Sequence, residues 1–185
     1  MTTDREKMQA GHLYMPCDPE LTQDRRNARD ILKTINSQEN DDYFVKEEFF
    51  RELFADLGGN PRIERVFHCD YGYNIHIGHN FYANYDCVIL DCAEVTIGDD
   101  VLFGPGVHVY TAQHPLDPEQ RKTGVEYASP VRIGNNVWVG GGAIINPGVT
   151  VGDNVVIGSG SVVTKDVPDN TVVAGNPACI IRQLP

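Results

Sequence analysis

The side chains best suited to chemistry in this 185-residue sequence are its histidines and cysteines. An imidazole can move protons near neutral pH or ligate zinc, and His76, His79, His108 and His114 are the four that stand in or beside patterned sequence. His108 and His114 are six residues apart, but a break in the pattern between them removes the face they would share as ligands. On its own, a loop histidine such as His114 reads as a solvated residue. The cysteines are Cys17, Cys69, Cys87, Cys92 and Cys179. Their odd number and the lack of any C-x-x-C pair point to neither a disulfide framework nor a structural zinc site. Cys87 falls on a core position of the repeat described next.

The elements that must position these residues are written in a period of six. Residues 131 to 166 carry Val131/Ile133, Val137/Val139, Ala143/Ile145, Val149/Val151, Val155/Ile157 and Ser161/Val163 at the first and third places, so all but Ser161 are apolar. Side chains two apart share one face of a strand. The following residues are rich in Gly, Asn, Asp and Pro, types that suit sharp corners. Corners recur every eighteen residues, Gly134-Asn-Asn matching Gly152-Asp-Asn, which predicts a three-sided coil of parallel strands around aliphatic rungs. Upstream, Ile75/Ile77, Phe81/Ala83 and Cys87/Ile89 share one phase, and Val95/Ile97, Val101/Phe103 and Val107/Val109 another two residues later. A two-residue insertion therefore widens the corner Leu90-Asp91-Cys92-Ala93-Glu94. From Val109 to Ile133 the pattern lapses for a multiple of six, which predicts that residues 109 to 131 leave the third edge of a prism spanning about 73 to 175 and return in phase. That loop bears Gln113-His114-Pro115.

Ahead of the coils the sequence reads as helical. Residues 1 to 17 show no period until the apolar patch Gly11 to Pro16, which could dock on something. Asp18-Pro19-Glu20 signals a helix start, and Leu21, Ala28, Ile31, Leu32 and Ile35 line one face of a helix over about 19 to 36. A second helix opens at Asp41 or Asp42 and carries a stripe of Val45, Phe49, Phe50, Leu53, Phe54 and Leu57 until Gly58-Gly59-Asn60-Pro61 stops it. The expected division is an N-terminal helical segment, 1 to 60, and a β-helix domain, 61 to 185, with loop 110 to 130 and a C-terminal tail. A formal charge of −11 without a basic cluster argues against nucleic acid. No stretch approaches a membrane span, and the start lacks a signal-peptide core, so the expected compartment is the cytoplasm.

Several stretches together resemble the maltose/galactoside O-acetyltransferases. They are the hexapeptide rungs, Asn74-Ile-His-Ile-Gly, Phe81-Tyr-Ala-Asn84, Gln113-His114-Pro115, Ile133-Gly-Asn-Asn-Val-Trp138, Asn146-Pro-Gly-Val and Ala174-Gly-Asn-Pro-Ala. The resemblance runs from about Ala10 to Arg182 and implies a left-handed parallel β-helix in a homotrimer. It also implies acetyl-CoA as co-substrate and a small hydroxyl acceptor, a sugar, bound in a cleft between two subunits. His114 is then the general base for direct attack of the acceptor on the thioester in a ternary complex, a step that suits an imidazole. Asn84, Tyr82, Asp91 and Asp70 would face the acceptor, and Trp138, Gly141, Ser159, Thr164, Lys165 and Arg182 the coenzyme. The chain departs from the family pattern at three places: Met15-Pro16 stands where galactoside members carry an acidic acceptor ligand, Gly141 replaces a Ser, and Cys179 replaces a basic residue.

Two other classes fit parts of the sequence. A metal enzyme of the γ-carbonic anhydrase kind also uses a trimeric left-handed β-helix, with histidine ligands at subunit contacts. A non-catalytic trimeric β-helix scaffold needs nothing beyond the rungs.

Overall fold

A computed structural model describes residues 2–37 and 43–185. Strands two to five residues long stack into three parallel sheets, one per side of a prism. The first sheet stacks Asp56–Leu57, Ile75–Ile77, Val95–Ile97, Val131–Ile133 and Thr150–Val151. The second stacks Arg62–Ile63, Tyr82–Ala83, Leu102–Phe103, Trp138–Val139, Val156–Ile157 and Thr171–Gly175, with Ala178–Gln183 folded back antiparallel on the last. The third stacks Phe67–Cys69, Cys87–Leu90, His108–Tyr110, Ile144–Ile145 and Val162–Val163. This is the expected β-helix of hexapeptide repeats.

Each rung position points inward, and from Phe67 to Val163 the rung side chains form one continuous buried stack. Cys87 belongs to it, as expected, and Ser161 is fully buried with its hydroxyl donating to the Gly158 carbonyl at 2.6 Å. That bond removes the cost of burying an unpaired hydroxyl.

The coils begin earlier than residue 73. Asp56–Leu57 pairs with His76–Ile77, Arg62–Ile63 with Tyr82–Ala83, and Phe67–Cys69 with Cys87–Ile89, so a whole coil precedes the expected start. Its rungs are irregular in type (Leu57, Ile63, Phe67), which hides the period. The second helix of the sequence reading is accordingly shorter: it spans Tyr43–Leu53, and Leu57 belongs to the first strand instead of the stripe. Asp41, Asp42 and the Val45 side chain lie outside the described residues. Phe50, Leu53 and Phe54 are buried, with Phe50 and Phe54 stacked at 5.3 Å and both edge-on to Phe67, so this helix caps the open end of the prism.

The helix expected over 19 to 36 spans Pro19–Ser37, buries Leu21, Ala28, Leu32 and Ile35, and starts on Asp18, whose carboxylate accepts from the Glu20 N–H at 2.9 Å. A further helix, Asp4–Gln9, was not expected. Its signature, Thr3 with Glu6 three residues on, forms a reciprocal capping box. No described helix is long and apolar enough to cross a membrane.

The lapse after Val109 is a loop that returns in register, Val131 pairing with Val95 and Ile133 with Ile97. Within it Ala112–Gln113 and Tyr127–Ala128 form an antiparallel ribbon, and Pro118–Lys122 a short helix capped by Asp117.

Candidate active site

Three irregular corners stack at the third edge, and they build the site. Successive coils there are twenty residues apart, since Phe67 pairs with Cys87 and Val88 with His108. Both Asp70-Tyr71-Gly72-Tyr73-Asn74 and Leu90 to Glu94 therefore carry extra residues, and the next coil opens into the loop. Thr111, at the loop's root, ties it to the coil before: its hydroxyl donates to the Leu90 carbonyl at 2.7 Å and accepts from the Ala93 N–H at 2.9 Å.

Asp91 is fully buried and turned inward. Its carboxylate accepts from the backbone N–H groups of Asp70 (3.0 Å), Tyr71 (2.9 Å) and Gly72 (2.7 Å). Burial pushes its carboxyl up to about 7, against the opposing pull of the Tyr71 and Gly72 donors. Asp91 thus fixes the corner that presents Asp70 and does not itself reach solvent.

Asp70 is half-buried, and burial likewise raises its carboxyl above the ordinary range, with the Cys92 contact and Arg25 pulling the other way. The Cys92 thiol lies 3.7 Å from Asp70 Oδ2. Arg25 donates to the Tyr71 hydroxyl and to the Pro16 carbonyl, both at 2.5 Å, which pins the N-terminal segment beside this corner. The apolar patch Gly11 to Pro16 docks here: Tyr14 packs with Met8, Leu21, Tyr71, Cys92, Ala93 and Ala128.

His114 projects from the loop, more than half exposed, with Nε2 3.8 Å from Glu126 Oε1. Glu126 is held in turn by Tyr14, whose hydroxyl donates to Oε2 at 2.9 Å while the two backbones exchange N–H···O bonds of 3.0 Å. The third edge therefore brings together His114, Glu126, Tyr14, Cys92, Asp70 and Arg25. Of these, sequence reasoning singled out His114 and Asp70 for the site. Glu126 lies twelve residues from His114 across the loop, and only the ribbon of 112–113 with 127–128 closes that distance.

The remaining expected residues lie elsewhere on the chain. Asn84, Gly141 and Ser159 stack along the second edge, among the corners Asn84-Tyr-Asp, Gly104-Pro-Gly, Gly140-Gly-Gly and Gly158-Ser-Gly. Asn84 Oδ1 accepts from the Tyr85 N–H at 2.8 Å, and its amide nitrogen has no partner among the described residues. The outer face of the second sheet carries Tyr82, Leu102, Trp138, Val156 and Val172 in register, with Arg182 paired to Val172 on the returning strand. Leu102 is 46% and Trp138 55% exposed. At roughly 4.8 Å per strand, the row from Leu102 to Arg182 runs about 19 Å: apolar, then cationic at its end. A cavity of about 710 Å³ opens at its lower end, against Asn80, Tyr82 and Leu102. Thr164 and Lys165 are exposed on the third edge. His114 and Asn84 thus sit on different edges of one prism.

The other three histidines singled out in the sequence are engaged locally. His76 meets Asp56 at 2.6 Å on the first sheet, His79 accepts from the Gly59 N–H at 2.9 Å on the first edge, and His108 meets Tyr110 at 2.5 Å on the third sheet.

Comparison with known proteins agrees with the fold. Residues 7–58 match the maltose acetyltransferase hexapeptide capping motif, and residues 130–165 match six bacterial transferase hexapeptide repeats. The chain is 55% identical to nodulation protein L of Rhizobium meliloti, over 95% of this chain and 96% of that one. Its fold superposes with a TM-score of 0.98 on a maltose O-acetyltransferase from Clostridium difficile, 49% identical, covering 99% of this chain and 98% of that one. A galactoside acetyltransferase in complex with coenzyme A gives a TM-score of 0.93 at 43% identity, covering 97% and 90%.

Proposed function

Because the chain belongs to the maltose/galactoside O-acetyltransferase family of hexapeptide-repeat, acetyl-CoA-dependent acetyltransferases, we propose that it acetylates a hydroxyl of a sugar or similar small acceptor, with His114 as the base. The observation that carries this reading is the pair His114–Glu126 beside the half-buried carboxylate of Asp70. A carboxylate at one side of an imidazole fixes the ring and stabilises the imidazolium that forms when it takes a proton. The ring nitrogen not turned to Glu126 takes the acceptor hydroxyl proton as that oxygen attacks the thioester carbonyl carbon. The new C–O bond forms, the carbonyl electrons move onto oxygen, and the C–S bond breaks as they return. The imidazolium then protonates the leaving thiolate, which gives free coenzyme A and the acetyl ester. Asn84's uncommitted amide nitrogen and the Gly141 N–H are the donors for the transient oxyanion. Asp70, with Tyr82, orients the acceptor, and Asp91 acts through Asp70.

The apolar row Leu102, Trp138, Val156 and Val172, ending at Arg182, suits an apolar pantetheine arm followed by phosphates. Ser159, Thr164 and Lys165 complete that binding. Assembly as a homotrimer supplies the missing proximity: the loop tip carries Leu116, 90% exposed, and the second sheet offers exposed Leu102 and Trp138 for a neighbouring loop. His114 of one subunit then meets Asn84 and Trp138 of the next.

The test is His114→Ala. Turnover should fall by roughly a hundredfold or more, while acetyl-CoA still raises the melting temperature as it does for the wild type. Wild-type turnover in that variant, or an acetylated cysteine accumulating without acceptor, would remove His114 as base in a direct transfer.

A further inference from the structure

We propose that Tyr14 is a positioning residue for acetyl transfer, its buried hydroxyl holding Glu126 in place for His114. This rests on His114 being the base. The two oxygens of Glu126 have separate duties: Oε2 accepts the Tyr14 hydroxyl at 2.9 Å, and Oε1 is left toward His114 Nε2 at 3.8 Å. A glutamate on a surface ribbon would otherwise rotate about its side-chain torsions and present no fixed face. Tyr14 removes that freedom because it cannot itself move. It is 1% exposed, its backbone is bonded both ways to that of Glu126, and its ring packs among Met8, Leu21, Tyr71, Cys92, Ala93 and Ala128.

The chain that follows Tyr14 is tied twice. The Met15 N–H donates to Asp4 Oδ1 at 3.1 Å, and the Pro16 carbonyl accepts from Arg25 at 2.5 Å. A packing role would be served by phenylalanine, since a buried phenol hydroxyl is costly unless bonded. The groups that this hydroxyl meets are Glu126 and the thiol of Cys92, which itself reaches Asp70 at 3.7 Å. Burial holds the phenol far above its ordinary pKa, so it stays a neutral donor to the carboxylate. The N-terminal segment thereby joins the acceptor-side acid Asp70 and the base His114 through one run of contacts, Asp70, Cys92, Tyr14, Glu126, His114.

The experiment is a double-mutant cycle on the full chain. Tyr14→Phe keeps the ring and should lower kcat about tenfold, the scale of a lost orientation, with KM for acetyl-CoA unchanged and a melting temperature close to wild type. Glu126→Gln should lower kcat at least as much. Because Tyr14 acts through Glu126, adding Tyr14→Phe to Glu126→Gln should cost less than a further twofold. Wild-type kcat in Tyr14→Phe overturns the proposal, and so does a full additional loss in the double variant, which would mark a merely structural role. If His114→Ala is inactive while Tyr14→Phe is not impaired, this inference fails alone. If His114→Ala is active, the base assignment fails and takes this inference with it.

Discussion

A buried carboxylate that never meets solvent decides where the carboxylate of Asp70 stands. Asp91 accepts three consecutive backbone N–H groups, from Asp70 to Gly72, and so holds a widened corner that has no regular sheet partners of its own. Asp91→Asn is nearly isosteric, yet it replaces one acceptor oxygen with an NH₂ facing a backbone donor. A buried donor left unsatisfied costs about 1–3 kcal/mol, which for a chain of this size lowers the melting temperature by about 2–12 °C. The check is thermal unfolding at fixed protein concentration, and a variant as stable as the wild type would show that the three bonds contribute nothing net. Asp91 was legible in the sequence as a polar residue in an enlarged corner, which the resemblance turned toward the acceptor, and not as a buried anchor. Its inward turn depends on the neighbouring coil, whose own two extra residues at Asp70 to Asn74 are masked by irregular rungs. The loop bearing His114 was legible because it breaks the period and returns in phase, and the role of His114 came from the resemblance, whereas Glu126 and Tyr14 carry no period at all. They meet through a single bridge between the N-terminal segment and the loop ribbon.

The corners of the first edge show why the repeat is written as Gly, then Asp, Asn or His, then Asn or Asp. The middle side chain accepts from the backbone N–H of the middle residue one coil earlier: Asp99 from His79 (2.7 Å), Asn135 from Asp99 (2.9 Å), Asp153 from Asn135 (2.6 Å) and Asp169 from Asp153 (2.8 Å). The third residue turns the chain at positive φ, from 53° at Asn136 to 58° at Asn60, a region that Asn and Asp tolerate. Where another coil stacks on the corner, the first must be glycine for want of room. A Cβ on Gly98 would stand 2.6 Å from Asn135 Oδ1 and 2.8 Å from the Gly134 carbonyl carbon. Gly98→Ala must therefore push apart two coils that the ladder ties together. The expected cost is about 1–3 kcal/mol, the scale of overpacking, read as a lower denaturation midpoint with an unchanged slope. An Ala variant of wild-type stability would mean the coils slide freely. These corners were visible from spacing alone, because each needs a residue type for a local reason. The coil before Ile75 was not, since Gly58-Gly59-Asn60 there also reads as a helix stop.

At the scale of the molecule, one prism separates the groups that the proposed reaction would bring together. His114, Glu126 and Asp70 stand at the third edge, while Asn84 and Gly141 stand at the second and Trp138 on the second sheet. The period placed each residue on its edge but says nothing of a second chain, so the composite site is read from two halves that face apart. If neighbouring prisms close it, a subunit lacking His114 still offers a sound second edge, and one lacking Asn84 still offers a sound third edge. His114→Ala and Asn84→Ala are each expected to be nearly inactive alone. Unfolded together in equal amounts and refolded, they should form mixed trimers in which about a quarter of the sites take His114 from one variant and Asn84 from the other, by random assortment around a closed ring. Acetyl transfer should therefore return to about a quarter of the wild-type rate, and mixing the folded variants without dissociation should restore nothing. A site contained within one chain cannot be rescued this way, so a refolded mixture as inactive as its components would place the whole reaction on a single prism.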